Sequence, residues 1–224
     1  MGGGCLEDKK TAYGYNANGQ LIYTSYCETD VVNNAASKGS ISIGNGSGGN
    51  AGDGVKGSQG AGCIAIGNDA GNTNQQTGAI AIGREAGWED QGPCTIAIGY
   101  QAGYNDQKEG ACAMGIWSGY EQQSTGAVAI GTKSGQTSQG ENGVAIGKEA
   151  GKTEQQSEAV AIGDQAGYDQ QGTAAVAIGN WAGQITQNTN SVAIGNSAGN
   201  TDQNSSAVAI GNSAGNTDQG PSAV

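Results

Sequence analysis

The large aliphatic residues of this chain recur in one fixed phrase. Ile64-Ala65-Ile66-Gly67, Ile80-Ala81-Ile82-Gly83, Val128-Ala129-Ile130-Gly131 and Val208-Ala209-Ile210-Gly211 are instances. The closing glycine falls at Gly67, Gly83, Gly99, Gly115, Gly131, Gly147, Gly163, Gly179, Gly195 and Gly211, always 16 residues apart. Cys112 and Met114 are the only departures from Ile or Val at the two large positions. Large–Ala–large, with β-branched residues at the large positions, has a period of two and predicts a short strand. Helix is excluded, because 16 residues are not a whole number of helical turns and every unit carries at least two glycines.

The rest of each unit is polar and punctuated. A second glycine follows four residues after the first, from Gly71 to Gly215, preceded by Ala or by Ser118 and Ser134. It predicts a turn that needs positive φ or close backbone approach. Four residues further on stands Gln75, Gln91, Gln107, Gln123, Gln139, Gln155, Gln171, Gln187, Gln203 or Gln219. Each unit therefore holds two short strands and two turns. A lone unit buries roughly two large side chains, worth about 1.5–3 kcal/mol each. Ordering its backbone costs about 1–2 kcal/mol per residue. Isolated coils cannot fold, so they must stack and share backbone hydrogen bonds. The fold class is all-β: a single-chain parallel β-solenoid (β-roll) of about ten 16-residue coils. The expected packing puts the Ile and Val columns inside. The alternate Ala79/Ala81/Gly83, Ala127/Ala129/Gly131 and Ala207/Ala209/Gly211 sets then face outward as a flat apolar column. Such a stripe marks an interface, and closed self-association would cover it. The Gln column has two structural readings, an amide ladder along the stack or a cap on each coil's own turn.

The repeat divides the chain. Residues 1–40 lack it and form an N-terminal cap or docking segment, with Thr11–Tyr15 and Gln20–Tyr26 flanking Asn16-Ala17-Asn18-Gly19 as a hairpin. Residues 41–66 are a first degenerate coil: Gly44 and Gly67 are 23 residues apart, so residues 45–62 hold a Gly-rich insertion. Residues 67–224 are the regular solenoid. It ends at Ser222-Ala223-Val224, partway into another strand, and an open end invites pairing or a covering partner. The start Met1-Gly2-Gly3-Gly4-Cys5-Leu6 permits acylation at Gly2 and Cys5, although Leu6 stands where Ser or Thr is expected.

Composition narrows the chemistry. The chain has 43 Gly, no Phe, no His and a net charge of −11. Residues 67–224 carry 15 acidic and 5 basic side chains, which disfavours nucleic acid and anionic membranes as partners. No apolar run reaches membrane-spanning length. Five cysteines without C-x-x-C spacing argue against a zinc site or a disulfide framework, and Cys112 reads as a small buried hydrophobe. Without His there is no triad, and the acidic residues form no pair fixed by the repeat, so no enzyme and no cofactor are expected. Asp90, Asp106, Asp202 and Asp218, each just before the Gln, could hold Ca²⁺ if stacked, but the Gly-Asp pattern of calcium β-rolls is missing. The aromatics gather on one edge. Trp88, Tyr104 and Tyr120 occupy one position in successive coils, Tyr168 follows, and Tyr100 and Trp117 lie in the neighbouring turn. They form a stiffening stack or a glycan-binding platform to which Glu85, Glu89, Asp90 and Asp106 add hydrogen bonds.

The phrase Ala-Val-Ala-Ile-Gly-x-x-Ala-Gly, as at Ala207–Gly215, resembles the head repeats of trimeric autotransporter adhesins. With the Gln that follows, it resembles still more the repeats of surface and fibre proteins from large algal viruses. The resemblance covers residues 63–224. It implies left-handed coils, homotrimers and attachment to cell surfaces, on a virion or outside a cell. The chain departs from the bacterial adhesins in its longer period and in lacking a recognisable anchor, stalk or signal peptide. The function expected is that of a structural or attachment protein, a rigid fibre or spike displaying its turns, with itself and cell-surface glycans as partners. A head-to-tail filament subunit and an ice-binding solenoid are the alternatives. Thr forms no ranks across the repeat, and bulky Arg84, Trp117 and Trp181 interrupt the turn after the first glycine, which weighs against ice.

Overall fold

The structure, a computed structural model, describes residues 10–15, 21–26, 40–49 and 59–224. Gly2, Cys5 and the Asn16–Gly19 turn lie outside the described residues. The flanks of that turn are strands: β1 (Lys10–Tyr15) pairs antiparallel with β2 (Leu21–Tyr26), Tyr13 opposite Tyr23.

The repeat folds as a parallel β-solenoid of about nine coils. Two sheets run along it. The aliphatic sheet has 11 strands, from β3 (Ile41–Ile43) and β4 (Ile64–Ile66) up to Val208–Ile210. The glutamine sheet has 8, from Glu89–Gln91 to Thr201–Gln203. Every pairing along the stack is parallel and in register, Ile130 beside Ile146 and Gln123 beside Gln139. The backbone zips coil to coil, as where Val144 N–H donates to Ala159 O at 2.8 Å and Gly147 N–H to Ile130 O at 2.8 Å.

The expected packing is reversed. Ala65, Ala81, Ala97, Ala129, Ala145 and Ala177 are wholly buried, and Ile and Val point outward. Strand after strand shows an exposed or half-exposed large residue on each side of a buried alanine. A period of two leaves the phase open, and choosing the other phase moves every side chain to the opposite face. Volume decides. The second glycine of each coil packs so tightly that a Cβ on Gly135 would lie 2.6 Å from Gln139 Oε1 and 3.2 Å from the Ala129 Cβ. A tube this flat holds methyl groups and amides, not sec-butyl groups. Its largest fully buried side chains are accordingly Gln75 through Gln203, followed by Thr95, Cys63 and Ser118.

The first glycine of each phrase answers a different need. Gly131 has φ +128°, and a Cβ there would sit 2.5 Å from Gly147 O. The two coils are too close at that corner for any side chain.

β3 pairs with β4 in register, Ile41 with Ile64, across the 23-residue spacing. Gly48 N–H donates to Ala70 O, and Gly60 N–H to Gln75 O, at the sites Gly71 and Gln76 use in the next coil. The extra residues are therefore confined to the stretch between Gly49 and Gln59, most of which lies outside the described residues.

Candidate functional surfaces

The interior amides come first, because they fix the geometry of everything outside. Each Gln donates its Nε2 to the carbonyl of its own coil's aliphatic strand and to the Oε1 of the next Gln. Gln123 Nε2 reaches Cys112 O at 2.9 Å and Gln139 Oε1 at 3.1 Å. Gln155 Nε2 reaches Val144 O at 3.0 Å and Gln171 Oε1 at 2.9 Å. Many also touch their own turn, as Gln123 Nε2 does at Ala127 O, 3.2 Å away. The ladder and the turn cap thus operate together. The chain of amides runs unbroken from Gln59 to Gln219, and Ser42 Oγ begins it by donating to Gln59 Oε1 at 3.1 Å. Gln59 escaped the sequence alignment because the insertion shifts it out of phase. Among the described residues, no buried side-chain polar atom lacks a partner.

The first outer surface is the aliphatic face. The Ile/Val columns stand in register, with Ile41 41 %, Met114 38 % and Ile130 37 % exposed. Eleven strands at about 4.8 Å spacing give a stripe roughly 50 Å long. A continuous half-exposed apolar stripe of that length is the kind of patch that marks an interface. Exposed polar residues rim it on both sides: Arg84, Lys148, Asp164 and Asn196 along one edge, Glu109, Glu141, Glu158 and Asn190 along the other. The small-residue column expected on the outside lies inside, so a sheet interface can form only with the large side chains.

The second surface is the turn edge that carries the aromatics. Trp88 stacks on Tyr104 with centroids 5.9 Å apart and planes 8° from parallel, and Tyr104 stacks on Tyr120 at 4.9 Å and 11°. The strand register sets this spacing, because the three residues occupy equivalent places in successive coils. Tyr100 and Trp117 form a separate tilted pair, 6.2 Å apart at 49°. Cations close these groups: Arg84 lies 5.6 Å from the Tyr100 ring centre and Lys133 5.2 Å from that of Trp117. The Trp117 indole N–H donates to Gln101 Oε1. Further along, Lys152 sits 4.7 Å over the Tyr168 ring, and its Nζ lies 2.9 Å from the hydroxyl. That hydroxyl holds the Lys152 ammonium above its ordinary pKa. Gln165 Nε2 donates to Glu149 Oε2 at 2.8 Å and, with the neighbouring lysines, lowers the Glu149 carboxyl. Burial raises the hydroxyls of Tyr104 and Tyr120, and nearby negative charge adds to it. The five aromatics singled out from the sequence therefore fall into two clusters. Glu85 belongs to the edge through Arg84, its partner at 2.9 Å, and Gln101, whose Nε2 donates to it at 2.6 Å.

Of the aspartates before the Gln column, Asp90 and Asp106 border a shallow depression of about 300 Å³, lined also by Asn74, Pro93, Lys108 and Glu109, whereas Asp202 and Asp218 lie coils away from it. Protein partners engage their carboxylates: Asn74 Nδ2 donates to Asp90 Oδ1 at 2.8 Å, and Lys108 pairs with Asp106. Among the described residues, no group of three or more His, Cys, Asp or Glu is disposed to hold a metal ion. Cys63 is buried, Cys94 exposed and Cys112 half-buried, and burial pushes the Cys63 and Cys112 thiols up. No described helix is long and apolar enough to cross a membrane. No protein-family model, no curated protein and no solved structure matches the chain.

Proposed function

We propose that the chain is a structural attachment protein, a rigid rod that associates with copies of itself along its aliphatic face and presents its turns to a partner. The observation that carries this is the pair of in-register Ile/Val columns running the length of the aliphatic sheet, large, apolar and half exposed. Leaving such a stripe in water costs about 25 cal/mol per Å² of apolar surface, and a second copy offers the same stripe at the same spacing. A closed ring of parallel rods, such as a trimer, covers the stripe of every member and leaves the aromatic edges outward. The amide ladder and the coil-to-coil backbone bonds support rigidity. The fibre-like resemblance of the repeat supports a place on a virion or outside a cell, with a surface glycan as the partner displayed to.

Solution mass by light scattering tests the self-association. A discrete small oligomer is expected for the native chain, and a monomer for the double variant Val144→Asp, Ile146→Asp, whose new charges would face each other across the interface. A native chain that remains monomeric up to high micromolar concentration would rule the reading out. A continuous ladder of sizes would favour a filament instead.

A further inference from the structure

Trp117 and Trp181 occupy the same turn position, two residues past the glycine that ends the aliphatic strand. Both have left-handed backbone, φ 55° and 56°. Their surroundings differ. Trp117 has a tyrosine, a lysine and a glutamine against it. Trp181 is 46 % exposed. Among the described residues, no ring stacks on it, no cation lies over it, and its indole N–H donates to no protein atom. The next residue up its column is Ser197, too small to cover a ring.

The coil of Trp181 departs from the repeat twice more. Ile185 is 42 % exposed at a strand position where the other coils carry Thr, Glu, Asn or Asp. Thr186 is β-branched at φ 52°. Left-handed backbone at a bulky or branched residue costs on the order of 1 kcal/mol. The stack imposes this backbone at the same two places in the other coils, but here it carries two bulky or branched side chains beside an exposed isoleucine.

Amides neighbour Trp181 in its own turn and in the next coil. Asn200 Nδ2 donates to Trp181 O at 3.0 Å and to Gln184 Oε1 at 3.1 Å. Gln184 Nε2 donates to Gln165 Oε1 at 2.8 Å, and Asn196 Nδ2 to Asn180 Oδ1 at 3.0 Å. These bonds fix the amides while leaving each with donors and lone pairs to spare. Charge narrows the ligand: no Lys or Arg follows Lys152 in the chain, while Asp164 and Asp169 lie in the preceding coil. Nothing here attracts a phosphate, sulfate or sialic acid.

We propose that Trp181 is the platform of a binding site for a neutral hexopyranose. The C–H face of the sugar stacks on the indole, and its hydroxyls exchange hydrogen bonds with Asn180, Gln184, Asn196 and Asn200. The site lies in the turn between the two sheets, at the rim of the aliphatic face and not on it. This deepens the attachment half of the proposed function. It also sets Trp181 apart from Tyr104, both of whose neighbours in the stack are rings.

The test is binding of the whole protein to an array of neutral and anionic glycans, followed by titration with the free monosaccharides of any neutral hit. Binding to at least one neutral glycan is expected. Trp181→Ala should weaken it at least tenfold and Asn200→Ala several-fold. Thermal melts and light scattering on the same samples establish that Trp181→Ala keeps its fold and oligomeric state. No neutral glycan bound, anionic glycans alone bound, or undiminished binding by Trp181→Ala would each overturn the site. The mass measurement fails independently of this one, so a monomer that binds sugar through Trp181 discards the rod assembly and keeps the site.

Discussion

At the residue scale, the interior glutamine has the least freedom to change. From Gln75 to Gln203 each is wholly buried and satisfies a strand carbonyl and a neighbouring amide, so its removal orphans groups on two coils. A buried group left without its partner costs about 1–3 kcal/mol. Gln123→Leu is expected to lower stability by about 3 kcal/mol in urea unfolding, although leucine is the more apolar residue. Gln139→Glu adds a pH signature. Gln139 is 1 % exposed and its position faces carbonyl oxygens, so a carboxyl there should have a folded pKa well above its unfolded value. Such a group destabilises when ionised, above the unfolded pKa, and the penalty fades as the pH falls below it. The melting temperature of Gln139→Glu should therefore lie far below that of the native chain at pH 7 and approach it near pH 4. Thr186→Asn acts in the other direction. Asn tolerates φ 52° far better than a β-branched residue, so a gain of about 1 kcal/mol is expected in the same denaturant assay.

At the element scale, the coil is set by its two glycines and by register. Gly131→Ala forces a methyl to within 2.5 Å of the Gly147 carbonyl oxygen, and backbone on both sides must move. A loss of at least ~3 kcal/mol is expected, with the coils nearest Gly131 losing hydrogen-exchange protection first, because each coil contacts only its neighbours. The thiols report the same layering. With peptide-resolved alkylation at pH 8, Cys94, which is exposed, should react well before Cys63 and Cys112, whose thiols burial holds protonated. Equal rates for Cys63 and Cys94 would mean that the first coils are open in solution.

At the scale of the whole molecule, the solenoid inverts the usual placement of side chains. Its core is alanine, glycine and hydrogen-bonded amide, and its largest aliphatic groups stand on the outside of one sheet. Backbone hydrogen bonds and the amide ladder join coil to coil, and the large side chains stand free for the association proposed above. The double variant at Val144 and Ile146 is the direct probe of that division: mass should fall to that of a monomer while the β-sheet circular dichroism signal persists.

The 16-residue period, the strand at each Ile/Val-Ala-Ile, the turns at both glycines, the two N-terminal strands at Lys10–Tyr15 and Leu21–Tyr26 and the stacked Gln column were all legible in the sequence, because each rests on local spacing. Which face of the strand looks inward was not. Alternation has two phases, hydrophobicity alone favours burying Ile and Val, and only the width of the closed coil excludes them. Nor could the sequence separate Trp88, Tyr104 and Tyr120, which stack on one another, from Trp181, on which no described ring stacks. That difference depends on what the next coil places above each ring, and it exists only once the coils are stacked.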